Sequence, residues 1–235
     1  MTDLKPFAAP YVEPVTPVEL AAHLAARMCH DFISPAGAIT SGLDLLEDPS
    51  AQDMRDDALA LITDSARKLV ALLAFDRVAF GASQAAEAFD PRELERLTQG
   101  VFAHQRASLL WSVEADSLSK PVTRVLLNLA QICGGALPMG GQAEVSVTEG
   151  VEGASLIVGR AVGARVRLRP EVLDGLNGER LGEGLGGHWV QAFYLRGLVD
   201  AAGGALGVSI GEGEITLTVE MPLGDRGFSP GHTAP

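Results

Sequence analysis

Lysine, cysteine, aromatic residues and long apolar runs are all scarce in this chain, and each shortage argues against something. Lysine occurs only as Lys5, Lys68 and Lys120, against 30 aspartates and glutamates, and the formal net charge is −12. A chain this acidic is repelled by phosphate backbones and anionic lipid, which argues against nucleic acid and membrane as partners. Cys29 and Cys133 are its two cysteines, one in each half and without metal-ligand spacing. They suit a reducing cytoplasm, and no disulfide is expected. The longest uncharged run, residues 125–143, contains Asn, Gln, Pro and two Gly-Gly pairs, so it makes a poor membrane span. "MTDLKPFAAPYVEP" has no apolar core of the kind a signal peptide needs.

What remains is enough for a core. The chain is 235 residues long and 47% apolar, room for one large domain or two modest ones. Residues 1–15 are Pro-rich and are expected to be loose. "TPVE" (16–19) is a capping box with proline at the first helical position. Apolar periodicity follows from Leu20 to Leu46 and stops at "EDPS". Ser50 is expected to cap a second helix reaching about Phe80 and ended by Gly81. Two long helices on a short turn form an antiparallel hairpin, residues 16–82.

Small residues at 83–89 read as a linker. Residues 90–225 then alternate elements, with "DPRE" (90–93) capping a helix, a strand at "SLLWSV", and a helix over 119–137. Strands over 143–149 and 154–168 follow, then Gly-rich loops, a helix over 188–202, and strands over 205–210 and 214–222. Residues 226–235 read as a tail. The expected fold class is α+β, a helical hairpin followed by a two-layer α/β sandwich, without internal repeats.

One stretch of the first helix, "RMCHDFISPAGAI" (27–39), is unusual. It places an ionisable ring, an adjacent acid and a helix-breaker within two turns. On a helical projection, Leu24, Phe32, Pro35, Ile39, Leu43 and Leu46 form one apolar stripe about Met28. His30 lies on the opposite face with His23, Ala26, Ile33, Ser34, Gly37 and Ser41. That face is small and partly apolar where Lys and Glu would be usual, which suits close approach by another protein. Pro35 removes the hydrogen bond to the Asp31 carbonyl at a cost of about 3 kcal/mol, and a bend beside His30 is expected. Helix geometry alone leaves two readings open, a solvated surface histidine and a functional one.

"HDFISP" (30–35) resembles the H-box of two-component histidine kinases, in which the histidine carries a phosphoryl group on a ring nitrogen. The resemblance implies that His30 is the nucleophile, Asp31 orients and deprotonates the other side of the imidazole, and Ser34 supports hydrolysis. Ile33 stands where that family has a basic residue. "RVLLNLAQICGGAL" (124–137) resembles the N-box helix, but Ile132 replaces the asparagine that would hold Mg²⁺, and only Asn128 is in place. "LIVGRAVGARVRL" (156–168) aligns Gly163 with the first glycine of the adenine motif and puts Ala161 where its aspartate belongs. "GEGLGGHWVQAFYLRGLVDAAGGALGV" (182–208) resembles the last Gly-rich loop, including Gly182, Gly184 and Gly186. Without the adenine acid and the Mg²⁺ ligand, ATP is not expected to bind.

An H-box hairpin on a degenerate kinase domain is similar to the ChpT-like histidine phosphotransferases, over about residues 16–225. The resemblance implies a homodimer whose hairpins pair as a four-helix bundle. It also implies transfer from the receiver domain of a hybrid histidine kinase to His30 and on to response-regulator receiver domains. Those receivers supply Mg²⁺, so no cofactor or metal of the chain's own is expected. They are expected to dock on His23, Ala26, Ile33, Gly37 and Ser41. Two other readings stand beside this one, an active ATP-dependent histidine or GHKL-type protein kinase, and a pseudokinase scaffold that accepts no phosphate.

Overall fold

Thr16 opens the first helix as the capping box requires. Its hydroxyl accepts from the Glu19 N–H at 3.1 Å, and the Glu19 carboxylate accepts from the Thr16 N–H at 3.5 Å. Helix α1 then runs from Pro17 to Glu47 without interruption. Pro35 does not end it; the proline is buried, on the same face as buried Gly42. Gly42 lies in the seam with α2, Arg55–Ala79. A Cβ at Gly42 would lie 2.6 Å from Ile62 Cγ1 and 3.1 Å from the Ala58 carbonyl oxygen, so the helices approach more closely than any side chain there allows.

The turn between them differs from the reading of Ser50 as a cap. The Ser50 N–H and hydroxyl both donate to the Asp48 carboxylate, at 2.8 and 2.7 Å. A 3₁₀ turn at Gln52–Met54 intervenes, and α2 starts without a side-chain cap. A local Asp–Ser turn thus outcompetes the capping role.

The structure is a computed structural model and describes residues 14–81, 88–150, 153–182, 186–222 and 229–230. After the hairpin come β1 (Ala88–Phe89), α3 (Pro91–Phe102), β2 (Ala107–Val113), β3 (Ala115–Ser119) and α4 (Lys120–Gly135). The Asp90 carboxylate caps α3 by accepting from the Arg92 N–H at 2.8 Å. Next are β4 (Gly141–Glu149), β5 (Ser155–Val162), α5 (Pro170–Leu176), α6 (Gly186–Ala201), β6 (Ala205–Gly211), β7 (Glu214–Met221) and β8 (Ser229–Pro230). Five strands form a mixed sheet in the order β2-β4-β5-β7-β6, with only the β2/β4 pair parallel. One line of register, Trp111–Val145–Gly159–Leu217–Val208, crosses it.

Helix α4 lies on this sheet with Val125, Leu126, Leu127, Leu129 and Ala130 fully buried. Gly159 sits beneath it, where a Cβ would fall 1.7 Å from Leu129 Cδ2. The architecture is therefore α+β, a helical hairpin and a two-layer sandwich. Two expectations change in detail. The strand read over 154–168 leaves the sheet at Val162, and the loop region after it contains α5, packed on α6. Ala88–Phe89, read as linker, pairs with Leu118 and Ser119, and Ser229–Pro230, read as tail, pairs with β3.

Candidate functional site

Helix α1 carries a repeat of four residues on the face it turns to the sandwich. Glu19 accepts from Arg180 at 2.6 Å. One turn on, the His23 ring meets Trp189 of α6 edge to face, centroids 5.4 Å apart. At the next turn Arg27 Nη1 donates to the Gly187 carbonyl at 2.5 Å. At the fourth step Asp31 closes the series, its Oδ2 3.6 Å from Arg27 Nε. The other carboxylate oxygen, Asp31 Oδ1, lies 3.2 Å from His30 Nδ1.

That last contact fixes the histidine's chemistry. With the Asp31 oxygen as acceptor, the contact assigns the hydrogen to Nδ1 and the lone pair to Nε2. The His30 side chain is 87% exposed and Nε2 has no partner among the described residues. The ring is thus held on its Nδ1 side and faces solvent with Nε2. Arg27 is the reverse, 13% exposed, with burial lowering its pKa and Asp31 and Asp76 raising it. Asp76, from α2, is 4% exposed. Burial pushes its carboxyl up to about 6, opposed by Arg27 and reinforced by Asp31.

Two hollows flank His30. A groove of about 420 Å³ runs along α1 and the start of α6, lined by His23, Ala26, Leu181 and Gly186 among others. A cleft of about 380 Å³ lies between the hairpin and α4–α6, where Ser34, Lys68, Gln131, Ile132, Arg167 and Arg169 contribute. Arg27, His30, Asp31 and His188 belong to both, so these four form the wall between them. Burial lowers the His188 pKa, helped by Arg169 and Arg27 and opposed by Glu171 and Asp31.

The structure brings His30, Asp31 and Ser34 to this one place. Of the expected docking residues, Ala26, Ile33, Gly37 and Ser41 are exposed, Ile33 at 71%. Nothing lies within 4 Å of a Cβ at Gly37. His23 differs. It shares the exposed face in projection, but α6 packs on it through Trp189, so it is only partly accessible. Sequence reasoning missed Arg27, Asp76 and His188. The Arg27–Asp31 spacing of four was a readable signal, since residues so placed on a helix meet. The positions of Asp76 and His188 depend on packing between distant segments and had no local signal.

Kinase-like positions of the sandwich are occupied by packing groups. The Asn128 amide donates to the Arg124 carbonyl at 2.9 Å and to that of Ala79 at 3.3 Å, and its oxygen accepts from Gln191 at 3.4 Å. Its polar capacity is spent on joining α2, α4 and α6. Ile132 and Ala161 are both buried among core residues. The Gly163 N–H donates to the Gly213 carbonyl at 3.0 Å. Gly182 and Gly186 flank the start of α6, while Gly184 lies outside the described residues.

The chain is similar to known phosphotransferases. The model of the histidine phosphotransferase C-terminal domain family matches residues 91–214. The protein phosphotransferase ChpT of Brucella abortus (strain 2308) is 34% identical over 204 residues, 86% of this chain and 96% of that one. A solved bacterial phosphotransferase is 32% identical, with a TM-score of 0.78 over 91% of this chain and 100% of its own. A histidine kinase domain from Erythrobacter litoralis EL346 is 14% identical, with a TM-score of 0.44 over 81% of this chain and 96% of its own. On the family match and the identity to ChpT over most of both chains, the chain belongs to the histidine phosphotransferase family and is a phosphotransferase.

Proposed function

We propose that His30 accepts a phosphoryl group from the aspartyl phosphate of a hybrid kinase's receiver domain and passes it to the aspartate of response-regulator receivers. The observation that carries this reading is the exposed imidazole with Nδ1 engaged by Asp31 and Nε2 open. In the forward step the Nε2 lone pair forms an N–P bond as the P–O bond to the donor aspartate breaks, and the bonding pair leaves with that carboxylate. Asp31 keeps the Nδ1 proton in place and offsets the positive charge that grows on the ring. Onward transfer is the same exchange in reverse on a second receiver. Ser34, one turn past His30 and lining the cleft, is positioned to orient a water for hydrolysis.

The receivers carry the Mg²⁺, and the chain uses no cofactor of its own. Their docking face is Ala26, Ile33, Gly37 and Ser41 with the rim of His23. Transfer needs nucleophile and phosphorus about 3 Å apart and in line, which a face this free of long side chains permits. Homodimerisation through the hairpin is supported by Leu59, Val70 and Leu73, which are 45%, 66% and 47% exposed on one face of α2, and by Leu43 of α1. Cytoplasmic residence fits two free cysteines, and no helix among the described residues is long and apolar enough to cross a membrane.

One assay separates this reading from its alternatives. The protein is incubated with labelled ATP and, separately, with a labelled phosphorylated receiver domain. The expected result is acid-labile, base-stable label from the receiver only, lost in His30→Ala. Label from ATP alone would identify a kinase, and none from either source a scaffold.

A further inference from the structure

The cleft beneath His30 gathers four cationic side chains in a chain whose formal net charge is −12. Lys68 from α2, Arg167 and Arg169 from the segment after β5, and Arg27 from α1 all line it. Elsewhere Arg160, Arg180 and Arg196 are matched with glutamates or aspartates, while Arg55, Arg77, Arg92, Arg106, Arg124 and Arg165 have no carboxylate at ion-pair distance among the described residues. Among the described residues Lys68, Arg167 and Arg169 have no carboxylate at ion-pair distance. Asp31 lines the cleft and Glu171 the adjoining recess, but Asp31 is already engaged by Arg27 and His30. Like charges around one hollow repel, and an entering anion relieves that repulsion.

The rest of the lining gives the anion a body. Leu72, Val101, Ile132, Leu168 and Val172 form an apolar wall, and Gln105, Gln131 and Gln191 bring amides to it. At about 380 Å³ the cleft is larger than a single phosphoryl group on His30 needs and falls in the range of small-molecule sites. We propose that this cleft binds a small phosphorylated molecule, its phosphate held by Lys68, Arg167 and Arg169 and its uncharged body against the apolar wall, and that occupancy hinders phosphoryl transfer at His30. The binding claim stands apart from the relay reading; the claim of hindrance rests on it.

Calorimetry on the full chain tests binding with two probes, phenyl phosphate, which carries ring and dianion, and inorganic pyrophosphate, which carries charge alone. Saturable one-to-one binding of phenyl phosphate is expected, weakened roughly tenfold or more in Arg167→Gln/Arg169→Gln. Arg196→Gln, whose arginine is paired with Asp200 away from the cleft, should bind as the parent does. Lys68→Gln, on the opposite wall, provides the same test should the double variant misfold. No saturable binding of phenyl phosphate, or binding indifferent to all these substitutions, overturns the site. Pyrophosphate binding alone removes the apolar body from the proposal. In the transfer assay, phenyl phosphate should slow labelling of the parent and leave the double variant unaffected. Binding without slowing overturns the hindrance. If instead the double variant loses transfer and the parent binds neither probe, the cations serve the phosphoryl group on His30 and the free-ligand site is wrong.

Discussion

Replacing Asp76 by asparagine should stabilise the protein, and by an amount that depends on pH in a defined direction. The carboxyl is almost fully buried, and burial lifts it from 3.8 to about 6 despite the neighbouring Arg27. Between those values the folded state holds a proton that the unfolded chain has released. The contribution of this group to stability is therefore fully present below 3.8 and is lost as pH rises through about 6. The loss at neutral pH is on the order of 3 kcal/mol for a displacement of this size. Asparagine keeps the shape and never ionises. Asp76→Asn should match the parent within about 1 kcal/mol near pH 4 and exceed it by about 2–3 kcal/mol near pH 7.5. Urea unfolding across that range, at one protein concentration so that association is held constant, reads the difference. A constant offset, or a gap that widens toward acid, would refute the reasoning. It would mean that Asp76 is ionised throughout and that Arg27 outweighs its burial.

Three further outcomes follow from the site and the core. Asp31→Ala should slow transfer by about tenfold to a thousandfold in rapid-mixing assays, and an unchanged rate would make Asp31 a bystander. Gly37→Arg places a long side chain on open surface, so transfer should fall strongly while light scattering shows the oligomer unaltered; helix propensity improves by up to about 1 kcal/mol. Normal transfer by that variant would move the docking face elsewhere. Gly159→Val drives a side chain into Leu129 and should cost about 3 kcal/mol or more, part of it recovered by adding Leu129→Ala. Equal stability of the Gly159→Val protein in urea would show that α4 can lift off the sheet freely.

The local signals in the sequence were the ones it could carry. Thr16 with Glu19 and Asp90 with Arg92 are contacts within a single turn, so their helices could be read before any packing was known. The His30–Asp31 pair was visible as a motif for the same reason. Ser50 failed because Asp48, two residues back, offered its hydroxyl a better partner. Helix α5 was hidden because seven residues carry too little periodicity, and it exists by packing on α6. His23 shows the limit most clearly. Its place on the helix face was legible, but the Trp189 that covers part of it comes from 166 positions away in sequence, and no local pattern reports such a neighbour.

The four-residue repeat of Glu19, His23, Arg27 and Asp31 has a mechanical consequence. Three of its rungs grip the sandwich and its neighbourhood, and the fourth holds the His30 ring, so the seating of α6 on α1 and the aim of His30 are set by one rail of contacts. The junction of α1 with α6 and the loop before it is clasped at three points, and a partner docking on the proposed face would meet both parts at once. A clasp of this kind would spare the proposed docking step the cost of an unfavourable pre-equilibrium between the two parts. The same rail makes Glu19, three turns from the chemistry, a place from which loosening the seat would travel to the ring.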